Sequence, residues 1–248
     1  MQPHRSRYWL TAAPEDPAAF QAQVSTVCTA YKEAAAHLAE GTHTVSCDEM
    51  TGIQALERAA PTLPMRPGQV ERREFDYIRH GTCCLIANLE VATGQVICPT
   101  LGPTRTEEDF AAHIARTVQS DPTGRWVFIT DHLNTHRSAS LVHLVAALEE
   151  DPEDLGCKGR SGVLHSMATR EAYLSDRRHR LRFLFVPKHT SWLNQIELWF
   201  SILVRRLLRR GSFTSVGELM ERILAFIDYF NQAAKPLRWT YDGSKRAA

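Results

Sequence analysis

The stretch HTSWLNQIELWF, residues 189–200, decides how the chain is to be read. It holds two tryptophans, a phenylalanine, two leucines and an isoleucine, and among them a single carboxylate, Glu197. A segment of that composition usually buries itself, so a carboxylate within it either faces water or has a chemical task. At helical spacing Trp192, Ile196, Trp199 and Leu203 share one face, and Asn194, Glu197, Ser201 and Arg205 share another. The pattern predicts a helix over roughly 191–210, held in the core by its apolar face and carrying Glu197 on a polar stripe. Both tryptophans belong to the apolar face and are expected in the core. Taken alone, the glutamate is equally well a solvent-facing residue paired with Ser201 or Arg205.

Two aspartates change that balance. HTVSCDE reads as a short strand ending at Asp48, and the apolar run RWVFIT, residues 125–130, reads as a buried strand followed by Asp131. Either aspartate alone could simply begin a turn. In open sheets covered by helices on both faces, however, ligands gather at the carboxyl ends of strands. Two aspartates there and a glutamate on a helix form an oxygen-rich set suited to a hard divalent cation such as Mg2+. A pair of such ions can clamp a phosphodiester, which requires carboxylates and no nucleophilic side chain.

The remaining elements predict an α/β protein. An alanine-rich helix over 16–40 tolerates Pro17 in its first turn. A proline-bearing loop, RAAPTLPMRPGQVE, precedes two strands, FDYIRHGTCCLIANLE and GQVICPTL, joined through ATG. Thr106 with Asp109 opens a helix as a capping box, Ser138 caps the next, LRFLFVP is a further strand, and Ser215 with Glu218 opens a last helix over about 215–232. Three strands followed by alternating strand and helix point to a mixed sheet with helices on its faces.

Composition sets the outer bounds. The 248 residues are 44% hydrophobic and contain no apolar run long enough to span a bilayer. The first residues, MQPHRSRYWL, lack a secretory signal, and six scattered cysteines show no disulfide spacing, which predicts a reducing, intracellular setting. The net charge of +1 hides basic stretches at DRRHRLRF, 176–183, and RRLLRR, 205–210. Local basic patches attract polyanions even on a nearly neutral chain, although each alone could be a solvated helix end.

The segments SCDEMTGIQALERAAPTLPMRPGQ, FITDHLNTHRS and PKHTSWLNQIELWFSILVRRLLRRGSF resemble the three acidic motifs of the DDE transposases. Within them the chain is most similar to the bacterial insertion-sequence branch of the mariner superfamily, over nearly all of residues 7–243. The resemblance implies a ribonuclease H-like fold with helices on both faces of a mixed sheet. It implies a metal-binding catalytic triad of Asp48, Asp131 and Glu197, using Mg2+, with Mn2+ able to substitute, at two ion positions. The implied partner is DNA, cut at terminal inverted repeats and joined into a TA dinucleotide by a homodimer in the bacterial cytoplasm. The corresponding division is a linker and helix over 1–40, the catalytic domain over 41–235 and a tail over 236–248. Complete members carry helix-turn-helix domains ahead of the catalytic domain, and this chain opens at what reads as the linker. The family usually has asparagine after the second aspartate; His132 stands here and is expected to alter the hydrogen bonding around the metal site.

Several other residues carry candidate roles. Lys188, His189 and Ser191 precede the Glu197 helix, whose leading amides could hold a DNA phosphate; capping by Thr190 or Ser191 explains the same residues equally well. Arg205, Arg206, Arg209 and Arg210 would contact DNA backbone if the helix borders the cleft. His132 and His136 are four apart, but no glutamate lies between them and no cysteine pair has zinc spacing, so structural or substrate contacts are expected. His136 would reach the scissile phosphate or order the turn after Asp131, and Asn194 shares the Glu197 stripe. Two further readings stay open: a DNA-binding remnant without catalysis, and a non-specific nuclease.

Overall fold

The computed structural model describes residues 14–72, 74–151 and 154–241. Its sheet has five strands in the order β3-β2-β1-β4-β5. These are β1 (Thr42–Arg58), β2 (Tyr77–Glu90), β3 (Val96–Gly102), β4 (Arg125–Thr130) and β5 (Leu181–Phe185). β1, β2 and β3 are antiparallel neighbours, while β1, β4 and β5 run parallel. The helices are α1 (Pro17–Ala39), α2 (Glu107–Gln119), α3 (Ala139–Glu149), α4 (Met167–Leu174), α5 (Ile196–Leu203) and α6 (Val216–Asn231).

Strand alternation divides the apolar residues between the two faces. Val45, Cys47, Ile86, Phe128 and Phe183 pack with α2, α3 and α4 on one face. On the other, Leu85, Ala87 and Leu89 meet α5 and α6, and Ile129 meets Val24, Val27 and Tyr31 of α1. The helix starts follow their capping residues. The Asp16 carboxylate accepts from the amides of Ala18 and Ala19, Thr106 and Asp109 form a reciprocal box, and Ser138 accepts from Leu141 N–H. At α6 Ser215 accepts from Glu218 N–H, but the Glu218 carboxylate takes Thr214 instead of closing the box.

Two expectations are corrected. β1 does not stop at Asp48: it runs on to Arg58, still paired with β2, through a register shift at Gly52, whose φ of 64° suits a residue without Cβ. In the segment after Asp48 only Ile53 and Ala55, two apart and on one face, are buried. Likewise, 191–210 is not one helix. A 3-10 turn at Ser191–Leu193 comes first, α5 begins at Ile196, and a widened helical turn occupies Val204–Leu208. The break falls at Asn194 and Gln195, both fully buried. There the Asn194 side chain and the Gln195 N–H are committed to tertiary hydrogen bonds instead of to a helix. As a result Trp192 swings to the surface, where its ring meets Tyr241 edge-on.

Trp199 remains fully buried, against Phe200, Phe226 and Phe230. Trp199→Ala is expected to cost about 3–5 kcal/mol of stability, measured by denaturant unfolding, because the neighbouring rings cannot collapse into the void.

Candidate active site

Register brings the two aspartates together. Ser46 lies opposite Ile129 as the last pair of the parallel β1–β4 ladder, and Asp48 and Asp131 each follow that pair by two residues, close enough for the charge of Asp131 to act on Asp48. Adjacent strands stand about 4.8 Å apart, and residues two apart share a face. β1 continues past this point with β2, whereas β4 ends at Thr130 and its chain turns away. Asp48 is therefore paired on the β2 side alone, because its parallel neighbour stops short of it.

Asp48 is 7% exposed. Its Oδ1 accepts from Glu49 N–H at 2.8 Å and its Oδ2 from Asn194 Nδ2 at 3.0 Å. Burial pushes its carboxyl up, the charge of Asp131 adds to this, and together they take it to about 7 against the opposing pull of His136. Asp131 goes the other way. Burial alone would raise it, but the hydrogen bond and charge of His136, with Leu133 N–H at 2.8 Å, hold it below the ordinary aspartate value. Glu197 sits exposed in the first turn of α5; partial desolvation raises its carboxyl, and the charge of Asp131 raises it further. Asp131 thus acts electrostatically on both other acids.

His136 is the cation of this cluster, and Glu49 is a member that sequence reasoning missed. Both side chains are fully buried, with His136 Nε2 2.9 Å from Glu49 Oε2 and His136 Nδ1 2.8 Å from Asp131 Oδ1. The ring also packs on Phe110 at 4.4 Å between centroids. Burial disfavours the imidazolium, but the two carboxylates outweigh it and lift its pKa to about 10. Asp48, Glu49 and His136 can bring one ligand atom each within 4.8 Å of one another. With both ring nitrogens donating to carboxylates, however, His136 is a strut for Asp131 and has no lone pair to offer an ion. His136→Ala leaves the buried Glu49 side chain without its ion-pair partner and is expected to destabilise the fold by about 3–5 kcal/mol, with part recovered in the Glu49→Gln background, read from chemical melts. The only hint of Glu49 in the sequence is its place directly after Asp48, which sends it to the opposite face.

Ser46 is a second missed residue. Its hydroxyl donates to Asn194 Oδ1 and accepts from Ile196 N–H at 2.9 Å. Asn194, expected on the Glu197 stripe, is instead buried ahead of α5, where its Nδ2 also reaches Cys47 O at 3.1 Å. This ties the start of α5 to β1 and so fixes Glu197 relative to Asp48.

The other candidates are placed as follows. His132 points away from the acids: its ring lies 5.5 Å from that of Phe185, and Nδ1 is 3.4 Å from Glu171 Oε2, which also takes Arg137 Nη1 at 2.9 Å. Among the described residues it makes no hydrogen bond to Asp48, Asp131 or Glu197, so it acts on Asp131 through charge alone. Lys188 and His189 are exposed beside a cavity of about 370 Å³ that Asp131, His132 and Arg137 also line. The leading amides of α5 are not open to a phosphate, because Gln195 N–H goes to the Tyr31 hydroxyl and Ile196 N–H to Ser46. Arg205, Arg206, Arg209 and Arg210 are exposed on the widened turn and just beyond it, with Arg205 donating to Ser201 Oγ.

A mixed five-stranded sheet covered by helices on both faces, with carboxylates beside its β1–β4 seam, is the arrangement of the ribonuclease H-like proteins. The sequence profile of the DDE superfamily endonucleases matches residues 43–220. The chain belongs to that family. Its fold is also that of mariner transposases. It superposes on the Mos1 mariner paired-end complex with Mn at 13% identity and a TM-score of 0.51, covering 94% of this chain and 60% of that one. On the Mos1 transposase paired-end complex with left transposon end the values are 13%, 0.50, 95% and 61%. The chain thus spans about 60% of the length of those transposase chains. A comparison with curated proteins finds no match. Among the described residues no helix is long and apolar enough to cross a membrane.

Proposed function

We propose that the chain is the catalytic part of a DNA transposase that cleaves phosphodiester bonds at insertion-sequence ends and transfers the freed strand to target DNA. The observation that supports this reading is that Asp48 and Asp131 each follow the last β1–β4 pair by two residues and are driven to opposite protonation tendencies, with the charge of Asp131 raising Asp48. Two carboxylates that crowd one another, with a third within reach of their charge, suit a cation between them. Among the described residues the group whose ligand atoms lie within 4.8 Å of one another is Asp48, Glu49 and His136, so on this reading Asp131 and Glu197 close on Asp48 when an ion binds. Asp48, Asp131 and Glu197 would hold Mg2+ or Mn2+, at two positions. When bound, such ions supply the charge that activates a hydroxyl and stabilises the leaving oxygen of an in-line displacement.

The protein's own contribution is positioning. Asn194 and the Glu49 amide fix the two oxygens of Asp48, and His136 keeps Asp131 ionised and aimed. Ser46 fixes the helix that carries Glu197. Lys188 and His189, beside the cavity, would hold a backbone phosphate near Asp131, and Arg205, Arg206, Arg209 and Arg210 would track the duplex without reading its bases. Cleavage at an inverted repeat would free a 3′-hydroxyl, which then attacks target DNA at a TA step. Bringing two ends together calls for a second copy of the chain. We assign this work to residues 41–235, with 1–40 leading into the domain and 236–248 trailing from it.

Incubation with inverted-repeat duplexes and Mg2+ tests the reading on sequencing gels. Cut and joined products support it. Cut ends without joining would mean a nuclease, and binding without cutting would mean a catalytically silent relative.

A further inference from the structure

The far end of the sheet carries a basic groove that the catalytic reading does not use. It lies between α1 and the amino-terminal ends of β4 and β5 and encloses about 700 Å³. Val127 pairs with Arg182, so strand alternation puts Arg125 and Arg182 on the α1 side with Val127 and Leu184, and Arg177 joins them from the loop before β5. α1 turns Thr26 and Thr29 toward the same space. Arg125 begins the strand that Asp131 follows, six residues later, which separates the groove from the acids by roughly 20 Å at about 3.3 Å per residue.

The groove is electrostatically unbalanced. Arg180 and Arg125 give guanidinium hydrogen bonds to backbone carbonyls, and Arg178 is paired with Asp176. Among the described residues neither Arg177 nor Arg182 forms an ion pair with a carboxylate. Arg182 is partly desolvated, and its neighbours Arg177 and Arg125 further disfavour its charge. The acids of the lining, Glu33 and Glu40, sit on the α1 wall, where Glu33 pairs with His37. Like charges crowded into a concavity lower stability unless a polyanion neutralises them, and guanidinium forks beside hydroxyls are the chemistry that grips phosphodiesters.

We propose that this groove is a second docking site for duplex DNA backbone, at the opposite end of the sheet from the catalytic carboxylates, with Arg177 and Arg182 as its phosphate contacts. It rests on the reading of the chain as a DNA-processing protein and adds a sequence-independent hold that does not depend on the metal site.

The test is fluorescence anisotropy of a labelled duplex with the full chain across a salt series. Arg177→Ala/Arg182→Ala is expected to bind about 10-fold more weakly at moderate salt. Its log–log salt slope should fall by close to two, at about 0.9 per lost phosphate contact. The charge-keeping pair Arg177→Lys/Arg182→Lys should retain the slope. The alanine variant should melt at or above the wild-type temperature, since crowded cations have been removed. Wild-type affinity and slope in the alanine variant would overturn the groove, as would a markedly lowered melting temperature. Neither result would touch the catalytic reading, which stands or falls on cleavage by the wild type. DNA binding lost with these two arginines, in a protein that never cuts, would support the groove and sink the strand-transfer reading.

Discussion

Asp131→Asn is expected to slow nicking of inverted-repeat DNA by on the order of 10³-fold or more while leaving duplex affinity near the wild-type value. The substitution is nearly isosteric, and the amide oxygen can still accept from Leu133 N–H, as the carboxylate does at 2.8 Å. What disappears is the charge that acts on both Asp48 and Glu197. His136 also loses one of its two carboxylate partners and with it part of the reason to stay protonated. Initial nicking rates under single-turnover conditions give the answer. A rate within a few-fold of wild type would remove Asp131 from the site altogether.

Asp48→Asn is expected to do something less intuitive: abolish cleavage and yet stabilise the metal-free protein at pH 8 by on the order of a few kcal/mol. The sign follows from the direction of the shift. Below the ordinary aspartate range the carboxyl is protonated whether the chain is folded or not. Between that range and about 7 the unfolded chain ionises while the folded one resists, so stability falls as pH rises. Above about 7 the penalty is complete, at about 1.4 kcal/mol per pH unit of separation. An amide carries no such penalty, but its NH2 cannot accept, so one of the hydrogen bonds from Glu49 N–H and Asn194 Nδ2 is lost, which offsets about 1–3 kcal/mol of the gain. Mg2+ or Mn2+ should raise the wild-type melting temperature at pH 8 and do so much less at pH 5, where Asp48 holds a proton. The variant should show a flatter pH profile and little metal response. Thermal melts over pH 5–8, with and without ion, check all of this; a wild-type protein that is most stable at pH 8 without metal would contradict it.

Legibility in the sequence follows the range of the forces involved. RWVFIT is readable as β4 because an unbroken apolar run bounded by turn residues has few other solutions. The starts of α1, α2 and α3 are readable because a cap is a local hydrogen bond. The outer half of β1 is not, since DEMTGIQALER offers weak alternation around a glycine, and only pairing with β2 makes it a strand. The eight residues of α4 are too short for a periodic signal. The continuous helix expected across Asn194 fails for a physical reason: 3.6-residue spacing cannot tell that two amide side chains will be withdrawn into the protein. The same limit applies to the site. None of the three acids stands out from its local setting alone, only the set of three does; Glu49 and His136 are 87 residues apart, and their contact exists only once β1 and the turn after β4 are side by side.

Because β1 passes through the acidic cluster instead of ending at it, the three carboxylates differ in mechanical compliance. Asp48 is anchored mid-span, with ladder partners before and after it, so its backbone serves as the datum of the assembly. Asp131 lies on a connecting turn, and Glu197 on the first turn of a helix that follows a break. If the chain handles DNA as proposed, accommodation of an incoming strand falls to the latter two, and tolerance for substrates of differing shape follows from how far they can give, not from the strand that carries the first acid.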